Sequence, residues 1–72
     1  MTLKELLDKI DIQLYKIDIS GKNKLLIRYD YETYVQTPER MKYLSNIVTR
    51  WYLDIYHDKA TLYVNVDRSK RG

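Results

Sequence analysis

The chain has few residues that could carry out catalysis. It holds 72 residues, no Cys and one His, His57. Without Cys, thiolate nucleophiles and thiolate metal sites are excluded, and one imidazole cannot form a paired-histidine metal site. A Ser-His-Asp triad would have to combine His57 with Ser20, Ser45 or Ser69, and none of these serines lies in a G-x-S-x-G motif. We therefore expect a protein that is not an enzyme, with no catalytic residue, metal or cofactor.

Residues suited to binding are more prominent. The chain has eight Tyr and no Phe, and Tyr combines apolar area with a polar hydroxyl, which suits interfaces. The first candidate partner-binding site surrounds a predicted hairpin tip and comprises Asp30, Tyr31, Glu32 and Tyr34. Asp30 and Glu32 could share one face of a strand, but two carboxylates without further oxygen ligands make a poor cation site.

A second candidate partner-binding site lies on a predicted long helix and comprises Asn46, Arg50, Leu53 and His57. At about 100° per residue, Leu53 falls on the side opposite the apolar stripe of that helix. A Leu bordered by Arg, His and Tyr has the composition of the centre of a contact site. His57, near the end of the helix, is expected to be a cation that the helix dipole favours.

The first half of the chain predicts one helix and two strands. Thr2 and Glu5 form a capping box at the start of a helix over residues 3–10. A period of two then predicts a strand up to residue 20, followed by a Gly- and Asn-containing turn and a second strand that begins at Lys24. The stretch up to Gln36 is either one long bent strand or a hairpin with a return strand over residues 33–36. We favour the hairpin because Asp30 and Glu32 interrupt the apolar alternation.

The second half predicts a long helix and a final strand. Thr37-Pro38-Glu39 is typical of a helix start, since Pro fits the first helical position and an acidic first turn suits the helix dipole. An apolar stripe with helical spacing predicts that this helix continues to about His57. The final strand then follows. The predicted core comprises Leu6, Leu7, Ile10, Ile17, Ile19, Leu25, Ile27, Leu44, Val48, Trp51, Ile55, Leu62, Val64 and Val66.

These elements predict an α+β fold. A short helix, an antiparallel sheet of three to four strands and one long helix on the same sheet face account for residues 1–67, taken as a single domain. The final strand could also lie parallel beside an inner strand, because it follows a crossover helix. Residues 68–72 are expected to be a disordered basic tail.

Charge and hydropathy constrain the environment. The net charge is +3, and the last six residues alone contribute two of these positive charges, so the body has little surplus for a phosphate-binding face. The longest apolar run, residues 25–27, is far shorter than a membrane span, and no signal-peptide pattern is present. We therefore expect a cytoplasmic protein that makes no membrane contact.

Three parts of the chain carry a family resemblance. They are the opening MTLKELLDKIDIQLYKIDISG, the segment KLLIRYDYETYV and the predicted Trp-containing helix. These parts resemble small prophage-encoded anti-CRISPR proteins. In particular the chain resembles the type II-A inhibitors that occupy the site where an RNA-guided nuclease reads the protospacer-adjacent motif. The resemblance implies a phage origin, a CRISPR effector nuclease as partner and contact roles for Asp30 and Glu32. Those inhibitors are strongly acidic, whereas this chain is basic and has Leu14 where the family pattern places an acid.

The leading hypothesis is thus a small phage or mobile-element protein that binds and occludes a host protein in the host cytoplasm, as an anti-CRISPR or other counter-defence inhibitor. One alternative is a nucleic-acid-binding module that uses Arg68, Lys70 and Arg71 with Arg50 for phosphates and exposed Tyr for stacking. Another is a structural or dimerising phage accessory protein, and a weak homodimer is a further expectation.

Overall fold

A computed structural model describes residues 1–67 of the protein. The elements along the chain are α1 (Leu3–Lys9), β1 (Leu14–Gly21), β2 (Lys24–Asp30), α2 (Tyr31–Gln36), a 3-10 turn (Pro38–Arg40), β3 (Val48–Tyr56) and β4 (Lys59–Val66). The fold is therefore α+β, as predicted. The predicted disordered tail, residues 68–72, lies outside the described residues.

The four strands form one mixed sheet in the order β2-β1-β4-β3. The outer pairs β1–β2 and β3–β4 are antiparallel, whereas the central pair β1–β4 is parallel. The prediction of a wholly antiparallel sheet is therefore wrong, and the parallel placement of the last strand, left open by the sequence, is the one observed. Lys22 and Asn23 both have positive φ, the geometry of the tight turns that suit the twist of a hairpin.

Helix α1 begins with the predicted capping box. The Thr2 Oγ1 accepts a hydrogen bond from the Glu5 backbone N–H at 3.2 Å, and the Glu5 Oε1 accepts one from the Thr2 N–H at 2.8 Å. The hydrogen bond from the Thr2 backbone lowers the pKa of the Glu5 carboxyl below its ordinary value. The apolar side of the helix buries Leu3, Leu6 and Leu7 against the sheet.

The core lies between α1, the connection from β2 to β3, and one side of the sheet, which we call the core face. Among the predicted core residues, Leu25, Trp51 and Ile55 are exposed, and that part of the prediction is wrong. Trp51 and Ile55 lie opposite Val64 and Ala60 on the core face, but they belong to an edge strand that the helices do not cover. The buried hydrophobic residues are Leu3, Leu6, Leu7, Leu14, Ile17, Ile19, Tyr29, Met41, Ala60, Leu62, Val64 and Val66.

The predicted long helix is absent from the described residues. Pro38 does begin a helical turn, but that turn ends at Arg40, and Tyr43 has φ 69°, a left-handed conformation that an α-helix cannot include. The segment Val48–Tyr56 is a strand, rich in β-branched and aromatic residues. Its Trp51 and Ile55 fit a helical stripe, but they also fit a period of two, and the partner strand β4 decides between these interpretations.

The predicted return strand over residues 33–36 is also wrong. β2 ends at Asp30, and the next six residues form α2. The Asp30 Oδ1 accepts a hydrogen bond from the Thr33 backbone N–H at 3.0 Å, so Asp30 is the N-cap of this helix. The acid that was expected to interrupt a strand instead begins a helix.

Replacing the buried Leu62 should destabilise the protein more than replacing its only Trp. Leu62 is fully buried in the central strand pair, so Leu62→Ala should cost about 2–5 kcal/mol. Trp51 is 42% exposed at the edge, so Trp51→Ala should cost less than about 2 kcal/mol. Urea unfolding followed by far-UV circular dichroism measures both, and a larger loss for Trp51→Ala would contradict the edge placement of Trp51.

Candidate interaction surface

The side of the sheet opposite the core face has neither helix packed on it, and we call it the open face. Strand pairing places alternate residues of all four strands on this side. It is chemically mixed, with tyrosines, arginines, lysines and aspartates in neighbouring positions. Its residues include Lys16, Asp18, Ser20, Arg28, Asp30, Arg50, Tyr52, Asp54, Tyr56, Lys59, Thr61, Tyr63 and Asn65.

A bidentate ion pair supports the open face between β1 and β2. The Arg28 Nε donates to the Asp18 Oδ1 at 2.7 Å, and the Arg28 Nη2 donates to the Asp18 Oδ2 at 3.0 Å. Asp18 is buried in spite of its charge, and this hydrogen bonding satisfies its carboxylate. The hydrogen bond to Asp18 raises the pKa of the Arg28 guanidinium above its ordinary value.

Tyrosine rings cover much of the remaining open face. Tyr52 and Tyr63 are directly opposite across β3 and β4, and their rings stack with centroids 4.9 Å apart. Tyr56 lies further along β3. Its ring and the His57 ring form an edge-to-face contact with centroids 4.2 Å apart. Tyr52 and Tyr56 are both exposed. The face therefore presents broad aromatic area held by a rigid sheet.

A shallow hollow of about 220 Å³ lies at the Tyr15 end of the open face. Tyr15 sits at an irregularity in the β1–β4 pairing, and its ring has the Lys59 Nζ 4.6 Å and the Lys16 Nζ 5.3 Å from its centroid. Within residues 1–67, neither ammonium group forms an ion pair with a carboxylate. The hollow therefore combines an aromatic ring and two ammonium groups, which attract carboxylates or phosphates, with the paired Asp18 and Arg28 in its lining.

The structure places the four residues of the first predicted site in different environments. The Asp30 carboxylate caps α2, and Tyr34 is partly buried and packs against the core. Tyr31 and Glu32 remain exposed on the first turn of α2. Asp30, Tyr31 and Glu32 are therefore exposed, with one oxygen of the Asp30 carboxylate engaged in capping, and Tyr34 is turned towards the core.

The second predicted site is also dispersed. Asn46 is buried, and its Nδ2 donates to the Asp67 carbonyl oxygen at 2.6 Å. Leu53 is partly buried against the core instead of facing away from it, because a strand places it on the core face. Arg50 lies on the open face, and His57 occupies the turn between β3 and β4 with φ 55°.

Sequence reasoning identified the abundance of Tyr but not the face that assembles it. Tyr15, Lys16, Lys59 and Tyr63 were absent from both candidate sites. A usable signal existed in β4, where Tyr63 alternates with the buried Leu62 and therefore must face away from the core. The matching signal in β3 was lost because that segment was interpreted as a helix.

Two other features, a cluster of metal-binding side chains and a membrane-spanning helix, are absent from the described residues. No group of three or more His, Asp or Glu side chains in residues 1–67 is placed to hold a metal ion. In the same part of the chain, no helix has the length and apolar character needed to cross a membrane. Comparisons with protein-family models, curated proteins and solved structures found no match.

The Asp18–Arg28 pair yields a stability prediction. Removing only the guanidinium leaves a buried carboxylate without its partner, and an unpaired buried acceptor costs about 1–3 kcal/mol. Arg28→Ala should therefore lower the urea midpoint more than the double variant Asp18→Ala/Arg28→Ala does. Urea unfolding of both variants measures the difference, and equal midpoints would show that Asp18 does not depend on Arg28.

Proposed function

We propose that this protein acts by binding a partner protein through the open face and occluding it, without catalysis. The observation that carries the proposal is an uncovered sheet face on which tyrosines stand beside Arg28 and Arg50. Tyr and Arg are enriched among the residues that dominate binding energy at protein interfaces. A sheet face that served only the fold would not require Tyr and Arg side chains in exposed positions.

The properties of the open face favour a protein partner. Arg50 stands near the exposed Asp54, so the face offers both signs of charge and can match a partner surface that does the same. Tyr side chains provide large contact area at a low cost in conformational entropy, because few torsion angles must be fixed. The sheet holds the rings before binding, which reduces that cost further.

The partner class to test first is the one that the sequence resemblance implies, a host RNA-guided nuclease. Three segments that carry the resemblance correspond to α1, β1 and β2, whereas the Tyr34-Val35 strand and the long helix of the resemblance do not occur here. The Asp30 carboxylate is engaged in capping α2. The proposal is therefore direct occlusion of a protein surface, and imitation of DNA by the two carried-over acids forms no part of it.

A pair of tyrosine variants tests the proposal. Tyr15 and Tyr31 are 41% and 36% exposed, but Tyr15 lines the hollow of the open face and Tyr31 lies on α2. Tyr15→Ala should weaken partner binding at least about tenfold, the effect of losing an interface residue worth more than about 1.4 kcal/mol. Tyr31→Ala is the matched control and should bind like the unaltered protein.

The measurement proceeds in two stages. Affinity capture from a bacterial lysate with a candidate nuclease present identifies the partner, and biolayer interferometry with that purified partner compares the variants. For a nuclease partner, inhibition of guided DNA cleavage should follow the same order. Loss of binding in Tyr31→Ala with retention in Tyr15→Ala would assign the contact to α2 and reject the open face.

A second candidate function is the binding of single-stranded nucleic acid at the hollow. The specific observation in its favour is the pair Lys16 and Lys59, which flank the Tyr15 ring and have no ion-pair partner within residues 1–67. Exposed aromatic rings beside basic groups bind single strands by base stacking and phosphate contacts. Arg68, Lys70 and Arg71 would add to this charge in the second hypothesis but lie outside the described residues.

Salt dependence separates the two functions. Under the nucleic-acid hypothesis, a fluorescent oligothymidine should bind with an affinity that falls linearly with salt on a log–log plot. Lys16→Glu/Lys59→Glu should then reduce the affinity and the slope. Fluorescence anisotropy measures both, and an absence of binding at physiological salt would reject this second function while leaving the protein-partner proposal intact.

A further inference from the structure

Strand β3 is an edge of the sheet, and its outer side is occupied only at its beginning. The Ile47 carbonyl accepts from the Asp67 N–H at 2.9 Å on the β4 side. On the opposite side, the Asn46 carbonyl accepts from the Leu3 N–H at 3.0 Å, and the Val48 N–H donates to the Met1 carbonyl at 2.8 Å. Within residues 1–67, the outer edge is therefore hydrogen-bonded to residues 1–3 as far as Val48, and it has no paired strand over residues 50–56.

The unpaired stretch has little protection against pairing with another strand. Natural edge strands are commonly guarded by Lys, Pro or inward-pointing charges. On its core face, β3 presents instead Trp51, Leu53 and Ile55, and the side chains of Trp51 and Ile55 are exposed. The opposite edge strand, β2, carries the edge lysine Lys24, whereas β3 has no Lys or Pro and its charged residues, Arg50 and Asp54, lie on the open face. The two edges thus differ, and β3 is the one suited to receiving a further strand.

We propose that β3 pairs with β3 of a second copy of this chain, antiparallel and around a two-fold axis at Leu53. The unpaired stretch has seven residues, and Leu53 is its midpoint, so this register uses all of it. Trp51 of each copy then lies opposite Ile55 of the other, and the two Leu53 side chains face each other. Each exposed apolar side chain of the edge gains an apolar partner on the core face.

Charge complementarity on the open face supports the same register. Each Asp54 lies opposite Tyr52 of the second copy and one diagonal step from both its Arg50 and its Asp54; the long Arg50 side chain spans that step to the carboxylate, whereas two short Asp54 side chains do not meet across it. A two-fold axis at Asp54 would set the two Asp54 carboxylates against each other. An axis at Tyr52 would place Tyr56 of the second copy at the position that Met1 occupies beside Val48.

The resulting dimer has one continuous eight-stranded sheet. Because paired residues share a face, both sets of helices lie on one side and both open faces lie on the other. The inference goes beyond the proposed function, since it does not depend on which partner the open face binds. The variants that separate the two tests lie on different surfaces, since Ile55 is on the core face of β3 and Tyr15 lines the hollow of the open face.

Sedimentation velocity of the full chain, from low to high micromolar concentration, measures the association. The sole Trp provides a second readout, because burial of Trp51 at the interface should shift its fluorescence to shorter wavelength as the dimer forms. We expect a concentration-dependent dimer with this shift. A monomer throughout the range, with unchanged Trp emission, would overturn the inference.

Surface variants locate the interface. Ile55 and Val35 are exposed apolar residues, at 64% and 48%, on β3 and α2 respectively. Ile55→Lys should abolish the dimer, whereas Val35→Lys should leave it unchanged, with circular dichroism confirming that both variants fold. A dimer that survives Ile55→Lys, or is lost in Val35→Lys, would show that the copies associate elsewhere.

A charge swap tests the register. Asp54→Arg sets an arginine beside Arg50 of the second copy at two symmetric places, and it should weaken dimerisation about tenfold. The double variant Arg50→Asp/Asp54→Arg restores opposite charges and should recover most of the affinity. Failure of the swap to rescue would reject this register. Tyr15→Ala should dimerise normally, so that loss of partner binding and loss of dimerisation are separate results.

Discussion

The parallel pairing of β1 with β4 is the interaction on which the rest of the structure depends. It joins two local hairpins, β1–β2 and β3–β4, neither of which has enough apolar surface to be stable alone. The pairing sets Ile17 beside Leu62 and Ile19 beside Val64, four side chains that are almost completely buried. The connection from β2 must then run from one edge of the sheet to the other, and it does so across the core face, where Met41 is buried.

This path has a direct consequence for function. Because α1, α2 and the connection all pack on the core face, no element within residues 1–67 is left to cover the opposite side. That side stays exposed to solvent, and two features of its residues are compatible with this exposure. The Asp18 carboxylate is satisfied by Arg28, and the exposed apolar area is supplied by Tyr rings whose hydroxyl groups tolerate water. The open face is thus a product of topology and not of one local motif.

Local signals predicted the elements whose cause is local. The capping box of Thr2 and Glu5, the alternation in β1 and β4, and the turn after Gly21 each specify structure over a few residues, and each is observed. The prediction for β3 was wrong because the spacing of its apolar residues fits both a helical period and a period of two, and pairing with strand β4 decides between them. The candidate site could not be assembled for the same reason, since the residues that share the open face with Tyr63 are fixed by strand pairing.

The edge strand connects the incomplete core with the proposed binding function. In one copy the helices cover the central strands but leave Trp51 and Ile55 uncovered at the margin, so the core is unfinished on that side. Pairing of two β3 strands completes it and sets two open faces side by side on one rigid sheet. A partner that presents two matching surfaces would then be held at both, and its second contact would form at a high effective concentration. A small protein with modest contact area at each face would in this way gain avidity without any additional residue.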